Sequence, residues 1–220
     1  GAAIGQLLYL ERDQQRLRAG VTMAVSPRFR IGVGWEASDT DFVHPERDRS
    51  SSGSGPLINV ELEGTHLTGS LLVVWSGLDP EPGSAFICFD DPLGYAQLTW
   101  KPKGVLSWEL YGSSDLVYSV RPESPYYLGQ RVGVAAGLPL GWRLDLRLFA
   151  EEGSDDYAAT ADGASLDDDR TSYGASLRLD LGRQTSLQVR VTEIEYDRGD
   201  RSDFRVEAGL SVGAGRGGWY

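Results

Sequence analysis

The chain has 220 residues, with 32 acidic against 21 basic side chains and a formal net charge of −11. This balance excludes a nucleic-acid-binding protein, which needs basic patches, so no nucleic acid is expected as a partner. A hydrophobic content of 40% excludes a disordered chain, and the single cysteine excludes an internal disulfide and a multi-cysteine metal site.

Apolar and polar residues alternate along most of the chain, which predicts about twelve β-strands and no helix. No stretch approaches the roughly 18 consecutive apolar residues of a membrane-spanning helix. Several predicted strands reach the about 9–11 residues of a tilted membrane-crossing strand, although the fourth, sixth and seventh look short. In chain order, the predicted strands cover 4–11, 16–25, 29–38, 57–64, 66–76, 94–101, 104–112, 126–138, 141–150, 171–182, 185–196 and 203–214.

The predicted connections alternate in length. The short turns lie at 26–28, 64–65, 102–104, 139–141 and 182–185. The opposite side has long acidic loops at 39–56, 77–93, 113–125 and 151–170, with two short polar links at 12–15 and 197–202. Outer-membrane barrels alternate in this way, with short periplasmic turns and longer extracellular loops. An even strand number then places both termini on the periplasmic side.

The alternation separates an uncharged apolar face from a charged one. In the stretch 171–182, Leu177 and Leu179 have one parity, whereas Arg178 and Asp180 have the other. The charged face is rich in arginine and glycine, and it mixes both signs of charge, which suits pairing in a confined lumen. About twelve strands closed with the apolar face inward would leave a void that these side chains cannot fill. The sequence therefore predicts an all-β, antiparallel, up-and-down transmembrane β-barrel that forms one domain over 1–220.

The charged face supplies the candidate functional residues. The predicted lumen-lining residues are Arg16, Arg18, Arg30, Glu36, Glu61, Glu63, Glu109, Arg131, Arg143, Asp145, Arg147, Arg178, Asp180, Arg190, Arg205 and Glu207. If the arginines line one wall, they guide anionic solutes or acidic glycans through a narrow passive channel or export-associated pore. If they pair across the lumen with the acids, they plug it, and the barrel is a structural anchor for a larger envelope assembly. Both readings stay open, because the sequence does not give the cross-strand register.

Two local features refine the predicted membrane boundary. Trp35, Trp75, Trp100 and Trp142 lie near strand ends, where an aromatic girdle meets the membrane interface. Near Glu193 the alternation slips, which predicts either a β-bulge or the extracellular boundary of the membrane.

The hairpins "LPLGWRLDLRLFAEEGSDDY" and "TSYGASLRLDLGRQTSLQVRVTEIEYDRGD", followed by "SDFRVEAGLSVGAG", resemble Gram-negative outer-membrane β-barrels. In particular, they resemble the small barrels associated with exopolysaccharide export. The resemblance implies a location in the bacterial outer membrane, with the lipid bilayer, lipopolysaccharide and other envelope proteins as partners. It also implies recognition by the outer-membrane assembly machinery through a final aromatic residue. Tyr220 matches that residue, although "GRGGWY" departs from the usual uninterrupted ending.

No catalytic residue, metal site or cofactor is predicted. Only two histidines are present, and neither forms a lipase-like pair with a serine. The remaining enzymatic alternative is a surface-loop hydrolase that uses His44 with Asp39 or Asp41. The run "SLDDDR" at 165–170 lacks the ligand spacing of a calcium loop, and the glycine-rich stretches follow no phosphate-binding pattern.

Cys88 lies in the apolar stretch "AFICFDD". We expect a buried thiol in a loop that folds inward. Its neighbours Phe86, Ile87 and Phe89 indicate an inward plug or a contact with a partner.

Overall fold

The structure, a computed structural model, describes residues 11–43, 48–84, 87–102, 106–119, 124–141, 143–158, 167–182, 185–197 and 201–212. These residues form eleven strands in one sheet, and each strand is antiparallel to the next in chain order. The strands are β1 (Arg12–Ser26), β2 (Phe29–Phe42), β3 (Ser51–Glu63), β4 (Leu67–Pro80), β5 (Phe89–Trp100), β6 (Ser107–Tyr118), β7 (Tyr126–Pro139), β8 (Leu144–Tyr157), β9 (Asp167–Asp180), β10 (Thr185–Tyr196) and β11 (Arg201–Val212). No helix in the described ranges has the length and apolarity needed to cross a membrane.

The strands β1 to β11 correspond to the second through twelfth predicted strands. The first predicted strand, 4–11, falls almost wholly outside the described residues. The predicted link at 12–15 is wrong, because these residues belong to β1 and pair with Asp39–Phe42 of β2. Glu11 extends the same ladder, since its carbonyl accepts a hydrogen bond of 3.1 Å from the amide of Val43. The polar run "RDQQ" looked like a turn, but it lies opposite an equally polar strand end.

The strands are longer than predicted on the side of the longer connections, here called the loop side; the other side is the turn side. The loop-side connections are 43–50, 81–88, 119–125, 158–166 and 197–200, and the turn-side connections are 27–28, 64–66, 101–106, 140–143 and 181–184. The predicted loops 39–56 and 151–170 were therefore too long. Likewise, the strands that looked short, β3, β5 and β6, have 13, 12 and 12 residues. Backbone pairing needs no apolar side chain, so polar and glycine-rich sequence continues the ladders.

The sheet has its apolar face outward. On β2, the side chain of Trp35 is 53% exposed, whereas the adjacent residue Glu36 is only 6% exposed. Val21 of β1 and Val206 of β11, on the same outer face, are 74% and 62% exposed. The charged positions line the concave inner face. The division into an apolar and a charged face that the sequence predicts is therefore confirmed for these strands, and the apolar side chains do not form the interior.

The predicted all-β, antiparallel, up-and-down order is confirmed, and the eleven described strands form a sheet that is not closed into a barrel. β1 and β11 are its two edges, and no described strand pairs with their outer sides. The chain reverses direction ten times between β1 and β11, so these two edge strands are parallel to each other. β1 starts on the loop side and β11 ends on the turn side.

The predicted irregularity near Glu193 is a change of outer-face polarity and not a bulge. β10 pairs without a register shift with both β9 and β11. Ile194 lies on the concave face and is 6% exposed. Glu193 and Glu195 take the outward positions that follow Val191, and the Tyr173 hydroxyl donates a hydrogen bond to the Glu195 carboxylate. The apolar band of the outer face therefore ends at this height.

Candidate functional site: the concave face

The concave face encloses a cavity of about 1370 Å³, lined by side chains from β5 to β11. Seven of the predicted lumen residues line it: Glu109, Arg131, Asp145, Arg147, Arg178, Arg190 and Glu207. Asp180 lies at the turn-side end of β9, where one carboxylate oxygen is 3.1 Å from Nε of Arg178. Arg205 lies on β11 opposite Thr192. Arg143 precedes β8 in an exposed connection, so its placement within a strand was wrong.

The other predicted residues form a second group on β1, β2 and β3. Glu36 accepts from Nε of Arg18, and its other oxygen lies 3.6 Å from Nε of Arg16. Arg30 Nη1 lies 3.4 Å from Glu61 and 3.5 Å from Glu63. Directly opposed register positions, such as Arg18 with Glu36, account for this pairing. A cavity of about 350 Å³ lies beside this group and touches Arg18 and Glu61.

The ion pairs described below run along the concave face. Most join residues on the same strand or on adjacent strands. One pair spans a strand: Nη2 of Arg147 on β8 lies 2.6 Å from Oε1 of Glu109 on β6. These side chains meet above β7, where Ala135 and Gly137 occupy the positions opposite Glu109 and Arg147. The pairs therefore coat the concave face and leave the cavity open.

A row of aromatic and arginine side chains crosses the same wall. The guanidinium carbon of Arg147 lies 5.1 Å from the ring centroid of Tyr111 and 5.5 Å from that of Phe149. Arg190 lies 4.4 Å from the Phe149 centroid on the other side. These distances suit cation–π contact, which fixes the arginines against the wall. The two rings were missed from the sequence; each lies opposite a glycine, Gly133 and Gly174, a pairing that requires the register.

An aromatic cluster lies at the loop-side end of the concave face. Its buried members are Phe42, Leu78, Phe89, Tyr118 and Tyr126. The Phe42 and Tyr118 rings meet edge to face with centroids 5.0 Å apart, and the Phe89 and Tyr126 rings do so at 5.7 Å. The sequence predicted only that the chain folds inward near Phe89; it did not predict the contacts among these side chains. The expectation for the thiol was wrong, since Cys88 is exposed.

Beyond the apolar band, the loop-side ends of β8 and β9 carry opposed acids. The outward positions of β8 change from Ala150 to the charged Glu152, and Asp155 lies further along, opposite Asp168. Burial raises the pKa of the Asp155 carboxyl above its ordinary value, and the guanidiniums of Arg170 and Arg131 offset part of that shift. Arg170 Nη2 lies 3.2 Å from the Asp155 carboxylate and offsets part of the repulsion between Asp155 and Asp168.

The residues of the hydrolase alternative are only partly described. Asp39 and Asp41, both exposed, lie with Glu81 so that their carboxylate oxygens are all within 4.8 Å of one another. His44 lies outside the described residues, as do Phe86, Trp142 and Tyr220. Nδ1 of His66 lies 3.0 Å from the carbonyl oxygen of Lys101 near the turn-side edge. In "SLDDDR", the three aspartates belong to β9 and not to a loop.

No family model and no curated protein matches the sequence. Among solved structures, the chain is similar to a crystal structure of a point mutant of the ferric enterobactin receptor of Pseudomonas aeruginosa. The two are 11% identical with a TM-score of 0.45, and the match covers 94% of this chain. The chain spans 40% of the length of that receptor.

Proposed function

We propose that this protein is an integral β-barrel of the bacterial outer membrane whose concave face is the lumen of a narrow passive channel. The distribution of polarity carries the proposal: exposed apolar side chains cover the outer face, and paired charges line the inner one. In water this arrangement exposes apolar surface that an ordinary soluble sheet buries. In a bilayer, the same outer face contacts hydrocarbon.

The height of the apolar band supports a membrane location. Trp75 of β4 and Trp100 of β5 are exposed near opposite borders of the band. Leu67 lies opposite Trp100, so the borders are eight residues apart along β4 (75 − 67). At about 3.3 Å per residue this is roughly 26 Å of strand, which a tilt of about 40° reduces to roughly 20 Å of height, of the same order as the apolar band of about 25 Å in outer-membrane barrels.

The wall pairing favours a channel over a lumen plugged by salt bridges. The large cavity is lined by Lys101 and four arginines and by five acids: Glu109, Asp115, Asp145, Glu151 and Glu207. Equal numbers of opposite charges, largely fixed along the wall, give a polar path with weak selectivity between anions and cations. Small hydrophilic solutes are therefore the proposed cargo.

The proposal includes closure of the sheet in the membrane. An unpaired strand edge costs several kcal/mol per backbone group in hydrocarbon, so the edges of β1 and β11 must be paired there. The loop side would face the exterior and the turn side the periplasm. The lipid bilayer, lipopolysaccharide and the assembly machinery are the partners that such a barrel requires. An association with exopolysaccharide export rests on the sequence resemblance.

A structural barrel within a larger envelope assembly is the second candidate. The aromatic cluster of Phe42, Leu78, Phe89, Tyr118 and Tyr126 favours it, because these side chains occupy the loop-side end of the concave face.

Purification and planar-bilayer recording test the proposal. We expect the protein to need detergent for monodispersity and to give small, weakly ion-selective current steps in a bilayer. A protein that stays soluble and monodisperse without detergent would remove the membrane assignment. Folded, membrane-inserted protein that conducts at no voltage, even when the loop-side cluster is disrupted, would support the structural barrel instead.

A further inference from the structure

We propose that the loop-side ends of β6 and β7, residues 115–119 and 124–128, form a flap that closes the loop-side mouth of the lumen in the resting state. This inference rests on the proposed channel and concerns its regulation. The burial of Tyr118 does not match its register position on β6. Tyr118 continues the outward positions of Trp108 and Leu110, which are exposed, yet Tyr118 is only 6% exposed.

The partners of Tyr118 show why it is buried. Phe42, Leu78 and Phe89 occupy inward positions on β2, β4 and β5. Residues from the outer face of one part of the sheet therefore pack on the inner face of another. Leu116 and Leu128, which also have outward register, pack against the same cluster. This arrangement requires the end of the β6–β7 hairpin to cross the concave face.

The ladder between β5 and β6 provides the point of separation. The two strands pair from Trp100 opposite Trp108 to Gly94 opposite Ser114. Beyond that point β5 continues to pair with β4, and β6 continues to pair with β7. The flap thus has no ladder to β5, whereas its β7 arm stays paired with β8, with Tyr127 opposite Tyr157 and Leu128 opposite Asp156. It can therefore separate from the β5 side only by bending together with the loop-side end of β8.

Side-chain contacts join the flap to elements that precede it. The hydroxyl oxygens of Tyr118 and Ser51 lie 3.1 Å apart, and the guanidinium of Arg12 lies 4.8 Å from the Tyr118 ring centroid. Arg49 donates to the carbonyl of Ser119, and the Tyr126 hydroxyl donates to the carbonyl of Cys88 at 3.2 Å. These contacts join the flap to β1, to β3 and to the connections 43–50 and 81–88, which all precede it in the sheet. On this side the flap is held by side chains and not by a ladder, whereas on the other side it is paired with β8, an arrangement that suits a closure opening reversibly from the β5 side.

The remainder of the cavity is open toward the turn side. Its lining includes Lys101, Ser107, Pro139 and Ser211, all at or near the turn-side strand ends. With the flap closed, a solute enters from the turn side and meets a blocked loop-side mouth. Opening of the flap would join the two sides.

Conductance of the full-length protein in planar bilayers tests the flap. We expect Tyr118→Ala to raise the open probability severalfold over the wild type, because it removes the Phe42 contact and the Ser51 hydrogen bond. Tyr173→Ala, which removes an exposed outer-face tyrosine, is the matched control and leaves conductance unchanged. Equal conductance of wild type and Tyr118→Ala would leave the channel standing and overturn the flap.

A second measurement does not depend on ion flow. In a Cys88→Ser background, Gln188→Cys places a thiol on the lumen wall. A membrane-impermeant maleimide added to proteoliposomes from the loop side is expected to label it slowly in the resting protein and quickly when Tyr118→Ala is also present. Rapid labelling in both proteins would contradict the flap. Faster labelling with no conductance in either protein would support the flap and contradict the channel.

Cross-linking provides the converse experiment. In the same Cys88→Ser background, Phe42→Cys and Tyr118→Cys are joined by a short reducible bis-maleimide linker. We expect the linked protein to give low conductance that rises severalfold on cleavage of the linker. Conductance that is the same before and after cleavage would contradict the flap. The electrophoretic shift of the folded protein on heating confirms that each variant has folded.

Discussion

Tyr111 and Phe149 pack over glycines, Gly133 and Gly174, on the neighbouring strands of the concave face. A Cβ atom at Gly133 would lie 2.5 Å from Cζ of Tyr111, and one at Gly174 would lie 2.8 Å from Cζ of Phe149. The missing side chains therefore create the space that the rings fill. The rings in turn support Arg147, so two glycines fix the position of a charge that lines the cavity of the concave face.

Gly133→Val tests this dependence. We expect it to destabilise the folded protein by about 1–3 kcal/mol, the typical cost of overpacking, because the valine displaces the Tyr111 ring. Urea unfolding in lipid vesicles measures the change. Gly209→Val is the control, since a Cβ at Gly209 would meet no atom within 4 Å. Combining Gly133→Val with Tyr111→Ser should recover part of the loss, whereas additive losses would contradict the proposed clash.

At the scale of one element, successive side chains of β10 point alternately to the outer face and to the concave face. Val189 is exposed on the outer face between Leu177 of β9 and Ala208 of β11. Gln188, its neighbour in sequence, lines the cavity. The same strand therefore meets two environments, and the effect of a charge depends on the parity of its position.

A pair of arginine substitutions measures that difference. We expect Val189→Arg to destabilise the folded, inserted protein by about 2–4 kcal/mol, the cost of an arginine at the lipid face near mid-membrane. Gln188→Arg should change the folding free energy little, because it adds a charge to a polar lumen. Equilibrium unfolding in vesicles compares them. Equal costs for both variants would mean that Val189 does not face lipid.

At the scale of the whole molecule, the partners of the two edge strands, β1 and β11, determine whether one chain closes into a barrel or two copies join. β1 and β11 have the same alternation as the interior strands, with exposed apolar side chains outward and polar ones inward. Exposed strand edges are ordinarily shielded in soluble proteins, and in hydrocarbon they must be paired. We expect the edges to approach one another within a single chain.

Cross-linking of Val21→Cys on β1 with Ala208→Cys on β11, in a Cys88→Ser background, tests closure. A flexible bis-maleimide that spans about 10 Å, the width of two strand spacings, reaches across one intervening strand. We expect an intramolecular link in the inserted protein. Val21→Cys with Val134→Cys on β7 is the control pair and should not link. A covalent dimer would instead indicate that two copies complete the sheet.

Sequence alternation was sufficient for the strands and their faces because it is a local property. Leu177 and Arg178 face opposite sides of β9 whatever strand lies beside them, since successive side chains in a strand alternate. Strand ends were harder to predict. Asp39 and the serines of β3 have the composition of a loop, but each is paired by a neighbour that is distant in sequence.

The sequence by itself determined an all-β chain with an uncharged face and a charged face, because period-two patterning requires no long-range information. Only the tertiary structure decided which charges pair. Arg147 meets Glu109 across the small residues of β7, and Arg18 meets Glu36 through register. It also decided that Tyr118, at an outward position, packs against the inner face. That contact depends on where two strands separate, and no local pattern encodes the separation.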